Sequence, residues 1–264
     1  MLQKILSKIF GKTAYSDIEK NEGISKTLNK EFAKINSTLK VLISENPKAS
    51  QTSAIVENGN KYSQVYIIEE EKIYRSDFWR DGVYLAAGKA PNITELVKAI
   101  NYWLCEDVTT KLFSEKFKFI RTDEGAFAFD EGKEIEYQWD GLLQNNNFLR
   151  LKEFVSLAIN DEILGNLFPF TSHYTLSFSR CTGYPYDFEG LPHIVPKEFE
   201  NFHFKIDKGD KFESSSEITN EKQFVVTINN DQYLGEGNAA TALKIIKANL
   251  PKGLERARKG VAED

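Results

Sequence analysis

The order of sequence patterns predicts an α+β fold, with antiparallel sheet and helices packed on one face of it. Strand-like stretches with two-residue alternation come first, helical patterns follow, and a second group of strands precedes a last helix. The strands are separated by short turns, whereas a βαβ nucleotide fold would place a helix between them. The 264 residues suffice for one large domain or two small ones.

The first strand-like stretch predicts a β-meander over about residues 38–88. Its strands are expected at Thr38–Ser44, Lys61–Glu69, Lys72–Trp79 and Val83–Ala87. Asp81 and Gly82 separate the last two strands, and an Asp-Gly pair favours a type I′ hairpin because both turn residues need a positive φ. The meander is therefore expected to be antiparallel.

Helical periodicity predicts that the middle of the chain is mostly helical. Asn92, with Glu95 three residues later, resembles a capping box and starts an amphipathic helix. Further helices are expected near residues 108–116, 134–146 and 148–165. The acid pairs between residues 121 and 132 stand among glycines, and this composition predicts a solvated loop.

The C-terminal part returns to strands. Strands are expected at Thr171–Cys181, Phe199–Ile206, Gln223–Ile228 and residues 232–234. A last helix follows Asn238 and ends at Pro251, and the charged tail from Lys252 is expected to fray. The first and last long helices share their apolar spacing, which fits two strand-turn-strand-helix modules or simply two amphipathic helices.

Domain boundaries follow from these patterns. Residues 1–12 form an amphipathic helical pattern, expected either to dock on a partner or membrane surface or, as the favoured alternative, to pack on its own domain. Residues 13–120 and 121–264 are expected to form two α+β modules, which can equally make one compact domain.

Composition excludes several classes of function. The net charge of −5 disfavours nucleic acid as a partner, because phosphate contacts need a basic surface. No apolar stretch is long enough for a membrane span, and no secretory signal is present, so stable membrane insertion is not expected. Cys105 and Cys181 are the only cysteines. They are predicted to be reduced thiols, and the chain is expected in the cytoplasm.

Motifs for catalysis and for cofactors are missing. There is no phosphate-binding loop, and the Gly-x-Gly before the last helix lacks the third glycine of a dinucleotide site. His173, His193 and His203 do not have the spacing of a zinc site. The sequence therefore predicts no cofactor, no metal and no catalytic residue.

One region concentrates polar and aromatic residues, at positions 168–186. His173, Arg180, Tyr184 and Tyr186 are its candidate ligand-binding residues. In one interpretation, Arg180 holds an anion in a pocket with tyrosine walls. In the favoured alternative, the region is a central strand in which Arg180 pairs with a carboxylate of the same protein.

The segment from Leu167 to Ser179 resembles a bacterial family of domains of unknown function, whose members are often labelled natural-product biosynthesis proteins. The helix with Trp103 and the Gly235–Leu250 helix are also similar, so the resemblance covers roughly residues 90–260. It implies neither a reaction nor catalytic residues.

The sequence thus favours a binding protein of accessory or immunity type that acts through contact with another protein. Its acidic charge suits a basic partner, because electrostatic complementarity accelerates encounter. The alternative is an enzyme or small-ligand protein that uses residues 168–186. A self-assembling structural protein, docked by its N-terminal helix, is a third hypothesis.

Overall fold

The computed structural model describes residue 18 and residues 23–41, 49–68, 73–197, 223–229 and 232–264. The chain divides into two compact units, Met1–Glu131 (unit 1) and Gly132–Asp264 (unit 2). Each unit contains a five-stranded antiparallel sheet, so the predicted α+β fold is confirmed. The predicted helix at 1–12 and the predicted strand at 199–206 lie outside the described residues.

Unit 1 is a meander with helices around it. Its strands are β1 Ser53–Asn58, β2 Lys61–Ile68, β3 Ile73–Arg80, β4 Val83–Ala90 and β5 Ile120–Arg121, which pair in that order. Its helices are α1 Ile24–Lys34, α2 Ala49–Thr52, α3 Ile93–Cys105, α4 Thr110–Lys116 and α5 Glu124–Glu131. Helix α3 packs on strands β1 to β4 and covers one face of the sheet.

Local sequence signals in unit 1 act as predicted. Asp81 and Gly82 have φ values of 53° and 72°, as the type I′ turn between β3 and β4 requires. The side chain of Asn92 accepts a hydrogen bond from the backbone N–H of Glu95 and caps α3. Helix α3 then places Trp103 in the core, where it contacts Phe78 and Phe113.

The prediction of a strand at Thr38–Ser44 is wrong for its described part, since residues 38–41 form no strand. The backbone of Val41 instead bonds to the side chain of Asn29, donating from N–H at 2.8 Å and accepting at 3.2 Å. An amide side chain of helix α1 therefore satisfies the groups that a neighbouring strand would otherwise pair. Residues 42–44 lie outside the described part of the chain.

The predicted solvated loop between residues 121 and 132 is also wrong, because most of it forms helix α5. The side chain of Asp130 is only 9% exposed and forms an ion pair with Arg80 at the end of β3. It also accepts bonds of 2.6 Å from the backbone N–H and the hydroxyl of Thr110. A tertiary partner, which sequence spacing does not reveal, holds this acid inside the unit.

Unit 2 repeats the plan of a meander with helices. Its strands, in order of pairing, are β6 Phe168–Ser172, β7 Thr175–Ser179, β8 His193–Pro196, β9 Phe224–Ile228 and β10 Gln232–Gly237. Its helices are α6 Glu134–Gln144, α7 Lys152–Ala158 and α8 Ala239–Ala248, with 3-10 turns at Asn146–Phe148 and Leu164–Asn166. As in unit 1, an antiparallel hairpin leads into a helix capped by asparagine, here Asn238.

The prediction of one strand over Thr171–Cys181 is wrong. A turn at His173 and Tyr174 breaks it into β6 and β7, with His173 at a φ of 56°. Leu176 and Phe178 are fully buried as the alternation predicts. The turn was missed because residues 173 and 174 are neither glycine, asparagine nor proline, which supply the usual signal.

The prediction that the C-terminal tail frays is wrong. The N–H of Arg258 donates to the carbonyl of Arg180, and the N–H of Thr182 donates back to Arg258. Further along, the N–H of Gly183 donates to Gly260, and the N–H of Ala262 donates to Pro185. The tail is thus held by the backbone of residues 180–185, a pairing that is not visible in its charged composition.

Candidate functional site

The four residues predicted for the site occupy different parts of one hairpin and its following loop. His173 is exposed in the turn between β6 and β7, and Arg180 follows the last residue of β7. Six residues of largely extended chain lie between them, which places them roughly 20 Å apart at the usual strand rise. Tyr184 and Tyr186 lie in the loop after β7, with ring centroids 5.8 Å apart. The structure therefore brings the tyrosines together and leaves His173 at a distance from Arg180.

Arg180 is bound within its own unit. Its Nη1 donates to the carboxylate of Asp187 at 2.9 Å and to the carbonyl of Glu189 at 3.1 Å. Arg258, from the C-terminal tail, donates to the other oxygen of Asp187 at 3.5 Å. The guanidinium therefore fixes the loop after β7, while its role in binding a ligand remains a prediction.

Two buried side chains give this loop its shape. Ser179 and Cys181 are both fully buried. The hydroxyl of Ser179 accepts hydrogen bonds from the backbone N–H of Cys181 at 3.0 Å and of Asp187 at 3.1 Å. Because these bonds tie the end of β7 to residue 187, the chain between them is forced outward as a defined loop.

The outward part of the loop carries an aromatic patch, which we define as Phe170, Tyr184, Tyr186 and Phe188. Tyr186 stacks on Phe170 of β6 with centroids 4.3 Å apart, and Tyr184 meets Tyr186 nearly at a right angle. Phe188 and Phe170 meet edge to face, with ring centroids 5.7 Å apart. Tyr184 is 70% exposed and Phe188 is 50% exposed. An inner stacked pair thus supports two large rings that face solvent.

The inner tyrosine has a perturbed acidity. Burial, and to a smaller extent the nearby Cys181, raise the pKa of Tyr186. A tyrosine hydroxyl is protonated at neutral pH in any case, and it can donate a hydrogen bond.

A cavity of about 470 Å³ adjoins the aromatic patch. Its walls are formed by Tyr186, Asp187, Phe188, Glu189, Leu191, His193, Asn229 and Ala262. Two of these residues are carboxylic acids and none is lysine or arginine. The patch and its cavity therefore present aromatic rings beside Glu189 and beside Asp187, whose carboxylate is paired with Arg180 and Arg258.

Sequence reasoning missed Phe188 and the tail residue Arg258. Phe188 continues the two-residue spacing of Tyr184 and Tyr186, so this repeat is a signal that could have found it. Nothing in the sequence points to Arg258, because it reaches Asp187 only through the tertiary path of the tail.

Other chemistry can be stated only for the described residues. Among them, no group of three or more His, Cys, Asp or Glu side chains is placed to hold a metal ion. No helix in the described part of the chain combines the length and the apolar character needed to cross a bilayer. Cys105, which is exposed, and Cys181, which is buried, are free cysteines.

The comparisons with known proteins give one match. Residues 133–221, about a third of the chain, match the family described as "Family of unknown function (DUF6193)". The matched segment lies in unit 2 and includes the aromatic patch. The expected resemblance to a family of unknown function is confirmed at this level. No curated protein and no solved structure matches the chain.

Proposed function

We propose that this chain is a non-catalytic binding protein of accessory or immunity type, which covers a basic surface on another protein. The observation that supports this proposal is the aromatic patch with its two exposed rings, Tyr184 and Phe188. Tyrosine is enriched among the residues that dominate the free energy of protein–protein association. Large rings on a soluble surface cost hydration free energy, and a partner that buries them recovers it.

The rigidity of the patch also supports this function. Tyr186 is held by Phe170, and the loop is tied down through Arg180, Ser179 and the C-terminal tail. A surface that is already ordered before binding loses little conformational entropy when a partner docks. Catalysis needs reactive groups to converge, whereas docking needs only such a preformed surface.

Charge favours a basic partner. The exposed acid Glu189 lines the cavity beside the patch, and the whole chain carries a net charge of −5. Opposite charge on the partner would mainly raise the association rate and would make it sensitive to salt. The resemblance to a bacterial family of unknown function, together with the two free thiols, leads us to propose the bacterial cytoplasm as the location.

Affinity capture with variants tests this function. The double variant Tyr184→Ala, Phe188→Ala should lose a partner that the wild-type chain recovers from bacterial extracts. Tyr233→Ala is the matched control, because Tyr233 is 55% exposed on β10 of the same unit, outside the patch. A partner that is basic, and whose association slows as salt rises, would support the proposal. Equal recovery by wild type and double variant, or no specific partner at all, would contradict it.

One observation favours the alternative of a small-ligand protein or enzyme at the same region. The cavity of about 470 Å³ beside Tyr186 has a volume typical of ligand sites. In that case a small molecule should protect the wild-type protein against heating, and the variant Tyr186→Ala should lose the protection. A screen of basic small molecules that finds no such protection would leave the docking function in place.

A further inference from the structure

A second cavity, in unit 1, has the opposite charge. It measures about 360 Å³ and lies between strands β3 and β4 and the segment that leads into β5. Every ionisable side chain in its wall is a cation: Arg75, Lys89, Lys118 and Arg121. The remaining wall is formed by Ala87, Gly88 and Phe119. Four cations without an acid in one wall are unusual for a chain in which acidic residues outnumber basic ones.

The sheet register fixes where these cations stand. Arg75 of β3 is directly opposite Lys89 of β4, and Ala87 of β4 is directly opposite Arg121 of β5. Directly opposed residues share one face of the sheet, with Cβ atoms about 5 Å apart. Like charges in such positions repel each other and destabilise the sheet. Arg75 and Lys89 therefore need partners, and each has an interaction within the protein.

Partners within the protein neutralise the cluster only in part. Asp77 approaches Arg75, but the Nε-to-Oδ1 separation of 3.8 Å is beyond hydrogen-bond reach. The same Oδ1 is buried without a hydrogen-bond partner. Among the described residues, no carboxylate forms an ion pair with Lys118 or Arg121. Two cations in the wall of the cavity are thus available for a ligand.

A glycine lets the two sides of the cavity come close. A Cβ atom added to Gly88 would stand 2.6 Å from Cδ1 of Ile120 and 3.2 Å from the ring of Phe119. Without a side chain at this position, β5 can pair with β4, and the N–H of Lys89 donates to the carbonyl of Phe119 at 3.3 Å. Lys118 and Arg121 are therefore presented from a backbone that is anchored to the sheet.

We propose that this cavity binds an oligophosphate anion, either free or as the phosphate chain of a nucleotide. Arginine matches phosphate oxygens through its planar fork, and lysine adds flexible positive charge. An oligophosphate carries several negative charges and can engage Lys118 and Arg121 together. Phe119 and Ala87 supply an apolar wall on which the base of a nucleotide can rest. This site is independent of the docking function, because it lies in the other unit.

Calorimetric titration of the full chain with tripolyphosphate tests this site. The wild-type protein should bind tripolyphosphate, and binding should weaken as salt rises. The double variant Lys118→Gln, Arg121→Gln should bind at least about tenfold more weakly, since each charged hydrogen bond is worth about 1.5–3 kcal/mol. Citrate, a carboxylate anion of similar charge, should bind more weakly than tripolyphosphate.

The control variant is Lys111→Gln, Lys244→Gln, which removes the same charge from exposed positions outside the cavity. It should keep wild-type affinity, and circular dichroism should show that both double variants are folded. Titrations with ATP, and with adenosine as the phosphate-free comparison, distinguish a nucleotide from a free oligophosphate as the ligand. Tighter binding of ATP than of tripolyphosphate identifies a nucleotide, and equal binding identifies a free oligophosphate.

Three results would overturn the proposal. The first is that neither tripolyphosphate nor ATP gives a heat of binding at millimolar concentration. The second is an equal loss of affinity in the test and control variants, and the third is tighter binding of citrate than of tripolyphosphate.

Discussion

The two units share a plan but distribute their charges differently. Each is a five-stranded antiparallel meander with a hairpin that leads into an Asn-capped helix. Unit 1 keeps the Arg80–Asp130 pair almost fully buried and has a cavity walled by cations. Unit 2 keeps the Arg180–Asp187 pair more than a quarter exposed, and its cavity wall holds two carboxylates, one of which is paired with Arg180. A net charge of −5 therefore hides a cluster of cations in unit 1, and only the placement of each charge shows what it can bind.

The degree of burial predicts how much each charge contributes to stability. The buried pair of unit 1 has further contacts within the protein. Arg80 also donates to the carbonyl of Val108 and lies over the rings of Trp103 and Phe129. The exposed pair of unit 2 is screened by water. Variants that remove one acid from each unit test this difference.

The largest effect is expected for Asp130→Ala. It leaves the Arg80 guanidinium and the backbone N–H of Thr110 without their acceptor in a nearly buried place. Loss of one partner from a buried pair costs about 3–5 kcal/mol. Urea unfolding, followed by tryptophan fluorescence, measures this change. Asp130→Asn should recover part of the loss, and a loss below about 1 kcal/mol for the alanine variant would break the contrast between the units.

A smaller effect is expected for Asp161→Ala in unit 2. The carboxylate of Asp161, 6% exposed, accepts bonds from the N–H groups of Ile163 and Leu164 and from Lys247. Its removal should cost about 1–3 kcal/mol, because two backbone donors lose their acceptor. The neighbouring variant Glu162→Ala, at an exposed position, should change the free energy of unfolding by less than about 0.5 kcal/mol.

Asp161 should also make the stability of the fold depend on pH. Burial alone would raise the pKa of Asp161, but the bonds from Lys247, Leu164 and Ile163 outweigh burial and lower it. An acid with a lowered pKa stabilises the fold fully above its unfolded pKa of about 3.9. This contribution is lost as the pH falls through the lower pKa of the folded state. Thermal melts below pH 4 should therefore show a weaker acid effect in Asp161→Asn, and an unchanged acid effect would contradict the assignment.

Glycine variants test the backbone of each unit separately. Gly82→Ala places a Cβ at a φ of 72° in the β3–β4 turn and should cost about 1–2 kcal/mol. Gly141→Ala in helix α6 of unit 2 meets no atom within 4 Å and should stabilise by about 0.5–1 kcal/mol. Opposite signs of the two changes in melting temperature are the expected result. Destabilisation by both would mean that the helical site is more constrained than its open surroundings indicate.

The smallest effect is expected for Asp187→Ala, the counterpart of Asp130→Ala. The side chain is 28% exposed, and Arg180 keeps the carbonyl of Glu189 as an acceptor. The cost should stay below about 1 kcal/mol in the same urea measurement. A loss as large as that of Asp130→Ala would show that burial does not separate the two ion pairs.

Local signals made much of the fold predictable. The Asp81-Gly82 turn, the Asn92 cap and the Asn238 cap depend on interactions within four residues, and all three are present. The predictions failed where a partner came from elsewhere in the chain. Asn29 takes the backbone of Val41, and Arg80 draws Asp130 out of solvent.

For the candidate site, the sequence indicated the right region but not its geometry. Tyr184 and Tyr186 were candidates, and they do meet in one patch. His173 is a candidate because it stands in the same aromatic and polar segment as Arg180, but the structure places it in the turn between β6 and β7, a turn without a glycine or asparagine signal.

The sequence by itself determined the class of fold, the turn between β3 and β4, and the helix caps at Asn92 and Asn238, because these depend on side-chain periodicity and on neighbours within a few residues. Tertiary structure decided which charges are buried, which rings face solvent, and how the tail meets the loop after β7. Those features bring together residues far apart in the chain: Arg180 is bonded to Arg258, and Arg75 and Lys118 line one cavity. Such proximity depends on how sheets and helices pack, which the pattern of any single segment does not specify.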